Sequence, residues 1–325
     1  MKKFLLILVS VIVIAVVGII TYVSTALPNV GEPEDIKIEV TPELVERGEY
    51  LAETVSGCID CHSIRDYTKW AGPIKSESKG GGGELFSEDM GLPGNIYSKN
   101  LTSFALGDWT DGEIFRAITS GVSKDGQALF PIMPYHSYGK VEKEDIFAII
   151  AYLRTLEPNK NTPPKTELNI PMNLIVNLIP KKGEHSLKDD YNDKVKHGEY
   201  LTTIAACADC HTPMEKGEYV EGMKFAGGME FKFPNGDINR TANLTPDKKT
   251  GIGNLTEDQF VFMFKQYADS NYVIRDLEAD EVNTMMPWLV YRNMKEYDLK
   301  AIYSYLMTLE PVKNEIKLFE KKKES

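Results

Sequence analysis

Two five-residue stretches hold every cysteine of the chain: Cys58-Ile59-Asp60-Cys61-His62 and Cys207-Ala208-Asp209-Cys210-His211. A two-residue gap puts two thiols on one helical turn, with an imidazole directly after them. Cys-x-x-Cys-His is the signature of covalent haem attachment. Each thiol adds to one vinyl group of the porphyrin, and the adjoining imidazole then stands beneath the ring, where it can ligate iron. A thioredoxin-like redox pair and a zinc site are the alternatives. The first needs no histidine and no second copy, and a four-cysteine zinc site leaves both histidines unexplained. The expectation is two covalently bound haem c groups, attached through Cys58, Cys61, Cys207 and Cys210, with His62 and His211 on the irons.

A second axial ligand turns such a centre from a small-molecule site into an electron carrier. Met133-Pro134 and Met286-Pro287 stand at equivalent places, each in a loop before the last helix of its half. A thioether is soft and favours ferrous iron. Among twelve methionines, only Met133 and Met286 recur in this way, so they are the expected sixth ligands; Met285 competes for the second site. His136 has no counterpart in the second half and reads as a surface or core residue. His185 and His197 read as solvated.

The positioning elements repeat too. Thr41-Pro42-Glu43 starts a helix that runs through Arg47-Gly48-Glu49-Tyr50-Leu51 into the first motif. Thr110-Asp111-Gly112-Glu113 is a capping box for a helix to about Ser120. Ile146, Ile149, Ile150, Leu153 and Leu156 mark a closing amphipathic helix. The second half answers with Lys196-His197-Gly198-Glu199-Tyr200-Leu201, the box Thr256-Glu257-Asp258-Gln259 and Tyr305 to Pro311. Asn100-Leu101-Thr102 returns as Asn243-Leu244-Thr245. This is a tandem duplication of one helical unit. Gly48 and Gly198 are expected to let the first and last helices cross closely, with Tyr50 and Tyr200 filling the edge of that contact; the alternative is glycine tolerated near a helix end.

The expected organisation is an anchor or transmembrane helix at 1–26, a tether at 27–40, domains at 41–160 and 193–312, an interdomain segment at 161–192 and a solvated, charged tail at 313–325. Phe4 to Val23 is an uninterrupted apolar run behind Lys2 and Lys3, long enough to cross a bilayer. A cleaved signal peptide is the alternative, with Ser24-Thr25-Ala26 as a small-residue site. The lysines keep the N-terminus in the cytoplasm, so the body faces the periplasm or outside. Leu168 to Pro180 is apolar but too short to span. It reads as packed between the domains, with docking on a membrane or partner as the other option. A formal net charge of -11 argues against nucleic acid.

With these parts in this order, the chain resembles class I cytochrome c twice over, which implies an all-α fold of two tandem domains behind the transmembrane helix. More narrowly it resembles the multihaem cytochrome c subunits of periplasmic alcohol, aldehyde and sugar-acid dehydrogenases, best over Asn243 to Gly253 with Gly227-Gly228 and Pro234-Asn235-Gly236. Those subunits commonly carry a third Cys-x-x-Cys-His, which this chain lacks. The resemblance implies an electron carrier, with no catalytic residues of its own. It would work between a donor such as a dehydrogenase and a respiratory acceptor such as an oxidase or soluble cytochrome. A dihaem peroxidase is the rival enzyme reading, but it needs an iron with an open or displaceable sixth site. A haem-based gas sensor needs an open iron as well, and usually a signalling domain.

Overall fold

The computed structural model of the chain describes residues 1–322. Helix Lys2–Thr25 comes first, long and apolar enough to cross a bilayer, with none of its residues buried. The helix Pro42–Tyr50 opens as expected, on Thr41, whose Oγ1 accepts the Leu44 N–H at 3.3 Å. It continues as a wider π-helical turn, Leu51–Val55, and reaches Gly57 in the left-handed region. Helix Cys58–Cys61 starts there. In the second half Asp193 caps the helix Lys194–Ile204, Ala206 takes the left-handed conformation, and helix Cys207–His211 follows. Each motif therefore sits on a short helix set off from a longer one by a single left-handed residue.

The longer helices pack in pairs, Pro42–Tyr50 against Lys143–Leu153 and Lys194–Ile204 against Glu296–Leu306. A Cβ on Gly48 would lie 1.8 Å from the Ala148 carbonyl oxygen, and one on Gly198 would lie 2.0 Å from that of Ala301. The glycines are what allows these backbones to touch. Around the contacts Leu51, Val55, Ile146, Ile149, Ile150 and Leu153 are buried in the first half, and Leu201, Ile204, Leu299 and Leu306 in the second. Both capping boxes form: Thr110 with Glu113 before Asp111–Ser120, and Thr256 with Gln259 before Glu257–Lys265.

Helices build the core, but the all-α expectation omits three small antiparallel sheets among the described residues. One joins Leu85–Phe86 and Gly94–Tyr97 to Glu167–Leu168, with Phe86 opposite Ile96 and Asn95 opposite Glu167. Its counterpart joins Glu230–Lys232 and Ile238–Arg240 to Phe319–Glu320, with Phe231 opposite Asn239 and Asn239 opposite Phe319. In both, the third strand comes from chain beyond the last helix of that half. Segments of two to four residues are too short to reveal an alternating pattern. The tail is exposed at Lys313, Lys317, Lys321 and Lys322, as expected, but over 313–322 it is also bound to the body. Asn314 donates to the Ala226 carbonyl at 3.0 Å, Glu320 accepts from Arg240 at 2.9 Å, and the Lys322 N–H meets Asp237 at 2.9 Å. Residues 323–325 lie outside the described residues.

The tyrosines expected to fill the helix crossings of their own halves reach across to the other half instead. Tyr50 donates to Asp298 at 2.5 Å and Tyr200 donates to Asp145 at 2.7 Å. Asp145 also holds Arg47 through two bonds of 2.9 and 2.8 Å. Asp298 holds His197 at 3.1 Å, and the other ring nitrogen of His197 meets Asp189 at 2.6 Å. His197 is thus buried between two carboxylates, not solvated. Sequence spacing places it on a helix but does not show what packs over that helix. His185 is half-buried, with Nδ1 2.7 Å from the Val141 carbonyl oxygen, and His136 is exposed.

The segment 168–180 is also corrected. Val176 and Pro180 are buried, but Ile170, Ile175 and Leu178 are exposed. The helix Met172–Ile175 and the 3-10 turn Val176–Leu178 lie against helix Lys2–Thr25, not between the domains.

Candidate haem-binding site

Both motifs line one cavity of about 2260 Å³. Cys58, Cys61 and His62 face it from one half, and Cys207, Cys210 and His211 from the other. Met133, Met285 and Met286 face it too, so every residue expected to bind haem reaches the same space.

The imidazoles are held alike. His62 Nδ1 lies 2.6 Å from the Lys99 carbonyl oxygen, and His211 Nδ1 lies 2.8 Å from that of Ala242. A neutral ring that donates from Nδ1 keeps its lone pair on Nε2, the form in which imidazole binds iron. Burial lowers both pKa values, against a raising influence from the carbonyl bond.

Those carbonyls are fixed by the recurring Asn-Leu-Thr. Asn100 Oδ1 accepts from the Thr102 N–H at 2.9 Å and its hydroxyl at 2.8 Å, and Asn243 does the same with Thr245 at the same distances. The amide nitrogens tie outward, Asn100 to Asn159 O at 2.7 Å and Asn243 to Val312 O at 2.7 Å. From the other side the Gly82 N–H donates to His62 O at 2.8 Å and the Gly227 N–H to His211 O at 2.7 Å. Both glycines have positive φ, and a Cβ would come within 2.5 Å of the Lys99 carbonyl carbon or 2.4 Å of the Ala242 carbonyl group. A chain of Asn, carbonyl and glycine thus aims each histidine. Sequence reasoning used Asn-Leu-Thr as a repeat marker and missed this role; its recurrence was the available signal.

Cys61 and Cys210 open onto the cavity among protein atoms, Cys58 and Cys207 are half-buried, and none of the four is bonded to another. Burial pushes Cys61 up to about 11 and Cys207 and Cys210 up to about 12. A thioredoxin-like pair needs a lowered thiol pKa, so this environment disfavours that alternative. Among the described residues no three His, Cys, Asp or Glu side chains converge as a metal cluster, so the four-thiolate zinc reading has no geometry behind it.

The Met-Pro loops share one conformation. The Tyr135 N–H donates to Met133 O and the Trp288 N–H to Met286 O, each at 2.8 Å. Pro134 (φ -79, ψ 52) and Pro287 (φ -80, ψ 61) are the centres of matching inverse γ-turns. It is Met286 that occupies the place equivalent to Met133. Met285 spends its N–H on Asn239 Oδ1 at 2.9 Å. Five residues past each methionine stands a tyrosine that sequence reasoning also missed. Tyr138 donates to Ser56 O and Tyr291 to Ala205 O, each at 3.3 Å. Each bond closes the Met-Pro loop onto the backbone just ahead of a cysteine motif, and burial pushes both phenols well up.

The two sites differ in the aspartate inside the motif. Asp60 is ion-paired with Arg65, whereas Asp209 accepts from Ser137 at 3.0 Å and Tyr219 at 3.2 Å. Burial raises both carboxyls, and Arg65 opposes the rise at Asp60. A cavity lined by two thiol pairs, two oriented neutral imidazoles and two equivalent thioethers fits two covalently attached haems.

No family model matches the chain. It is similar to the cytochrome c subunit of alcohol dehydrogenase (quinone) from Komagataeibacter europaeus, at 27% identity over 83% of this chain and 56% of that protein. The fructose dehydrogenase cytochrome subunit of Gluconobacter japonicus is 28% identical over 83% of this chain and 53% of that protein. A dihaem cytochrome c-type protein of Cereibacter sphaeroides is 28% identical over 59% of this chain and 64% of its own length. The chain spans little more than half the length of the two dehydrogenase subunits.

Proposed function

We propose, from this similarity to the cytochrome c subunits of dehydrogenases, that the chain is a membrane-anchored dihaem c-type cytochrome of two class I domains. It would pass electrons from a periplasmic dehydrogenase to a respiratory acceptor. The observation that carries the reading is the duplicated histidine setting: two Cys-x-x-Cys-His imidazoles, each with Nδ1 on a fixed carbonyl, share a cavity with two equivalent Met-Pro loops.

On this reading Cys58, Cys61, Cys207 and Cys210 hold haem as thioethers. His62 and Met133 would hold one iron, and His211 and Met286 the other. Bound haem supplies a one-electron couple and needs no substrate pocket. The rest is done by the chain. Lys99 and Ala242 hold the imidazoles in one tautomer and orientation, which keeps reorganisation on electron transfer small. The largely apolar lining would lower the local dielectric and, with the methionine sulfurs, favour the ferrous state. Helix Lys2–Thr25 anchors the body with Lys2 and Lys3 on the cytoplasmic side, outside which the dehydrogenase meets it.

The test is an optical redox titration of the full chain matured with haem, with and without carbon monoxide. Two haems per chain that survive denaturation, two reversible one-electron steps and no carbon monoxide binding are expected. Bound zinc without covalent haem would overturn the reading. Stoichiometric carbon monoxide binding at one haem would put the peroxidase reading ahead.

A further inference from the structure

The segment 168–180 is tied to the body at its start and buried at Val176 and Pro180, with exposed aliphatic side chains between. Leu168 pairs with Gly94, the Asn169 N–H donates to Pro93 O at 2.9 Å and its side chain to Glu88 at 2.7 Å. These bonds fix the backbone immediately before Ile170, which is 83% exposed. Ile175 and Leu178 are exposed as well, at 40% and 55%. Three exposed aliphatic side chains fall within nine positions, two of them three residues apart, so this stretch offers more apolar surface than an isolated residue would.

Three observations identify the cover. The helix Met172–Ile175 and the turn Val176–Leu178 lie against helix Lys2–Thr25, and Asn173, Val176 and Asn177 line the same cavity as Ser24 to Pro28. The patch therefore adjoins the end of the apolar helix from which the body emerges. In a chain of net charge -11, residues 168–180 contain no aspartate or glutamate, and Lys181 and Lys182 follow at once. Both lysines are exposed. Apolar side chains beside cationic ones, next to a spanning helix, match the boundary between acyl chains and headgroups.

We propose that residues 170–182 are an interfacial docking segment. Ile170, Ile175 and Leu178 enter the outer leaflet around helix Lys2–Thr25, and Lys181 and Lys182 meet anionic headgroups. The segment would fix the orientation of the body on the membrane, where a tether alone would leave it free to swing. This rests on the anchor reading above, and the experiment separates the two.

Haem attachment consumes the four native cysteines, so an introduced cysteine is the only free thiol. Ile170→Cys, Ile175→Cys and Leu178→Cys change exposed positions, and each full-length holoprotein is checked for two haems. Spin labels are placed there, at Val13→Cys within the apolar helix, and at Phe262→Cys, an exposed site on helix Glu257–Lys265. In vesicles of phosphatidylethanolamine and phosphatidylglycerol, accessibility to oxygen and to a water-soluble nickel chelate is read. Labels at 170, 175 and 178 should show an oxygen-to-nickel ratio several-fold above that at 262. Replacing Lys181 and Lys182 by glutamine should lower it. If position 13 reports acyl chains while 170, 175 and 178 match 262, the docking proposal is overturned and the anchor stands. If position 13 is aqueous too, the anchor reading falls. Labels shielded from both reagents would mean that protein covers the patch, which also overturns the proposal.

Discussion

Tyr200 donates its phenol to Asp145 at 2.7 Å, from the first helix of one half to the last helix of the other. Tyr50 returns the bond to Asp298 at 2.5 Å. Each aspartate also holds a cationic partner from its own half, Arg47 on Asp145 and His197 on Asp298. The halves are thus stitched by two exchanged tyrosines at equivalent positions. Tyr200 and Asp145 are almost fully buried, so the bond contributes where water cannot replace it.

Tyr200→Phe should therefore lower the unfolding free energy by about 1–3 kcal/mol, the cost of leaving a buried acceptor short of a partner. Tyr50→Phe should cost less, because Tyr50 is only half-buried. Unfolding followed by haem absorbance and by far-ultraviolet dichroism should coincide in the native chain and separate when both tyrosines are replaced. Coincident transitions in the double variant would mean that other contacts couple the halves.

Stability should also fall through the alkaline range. Burial alone would lower the pKa of His197, but its bonds to Asp189 and Asp298 outweigh this and raise it to about 9. A folded pKa above the unfolded value gives stability that is fully present below the ordinary histidine range. It is lost as pH rises through about 9. Urea midpoints measured from neutral pH upward should fall across that window. His197→Gln should be less stable at neutral pH and lack the fall. A wild-type midpoint flat over the window would refute the assignment.

Gly82→Ala tests how His62 is aimed. The added Cβ would press within 2.5 Å of the Lys99 carbonyl carbon from a backbone already at φ +67°. The carbonyl should shift, the imidazole should lose its anchor, and the potential of the first haem alone should move. Gly227→Ala should move the second. Gly222→Ala is the control, because φ there is +74° with nothing within 4 Å; it should leave both potentials in place.

Met133→His should lower the potential of the first haem and Met286→His that of the second, since imidazole favours ferric iron more than thioether does. Met285→His should leave both nearly unchanged, because Met285 is not in the turn that Met133 and Met286 share. A large drop on replacing Met285, with none on replacing Met286, would reassign the second ligand.

The legible part of this molecule is what duplication and local chemistry write into adjacent residues. The cysteine motifs, the capping boxes at Thr110 and Thr256, and Gly48 and Gly198 under their partner helices could all be read before any fold was known. Contacts between distant stretches could not. Tyr50 and Tyr200 look like helix-edge aromatics until the opposite half is present. Phe319–Glu320 looks like part of a charged tail, because its pairing is by backbone and needs no side-chain pattern. His197 sits at an ordinary helical position, and only Asp189 and Asp298 make it a buried ion-pair centre. Asn100 and Asn243 were visible as a repeat, but their purpose depends on a carbonyl one residue earlier and a histidine far upstream.

The single cavity has a consequence for how the proposed centres titrate. Two irons held in one largely apolar cavity would feel each other's charge more strongly than in water, because Coulomb interaction grows as the dielectric falls. Adding an electron at one centre then makes the second harder to reduce, even where the ligands are alike. The arginine beside Asp60, absent beside Asp209, tilts the pair further. A two-step titration curve would therefore report mutual repulsion as well as intrinsic affinity.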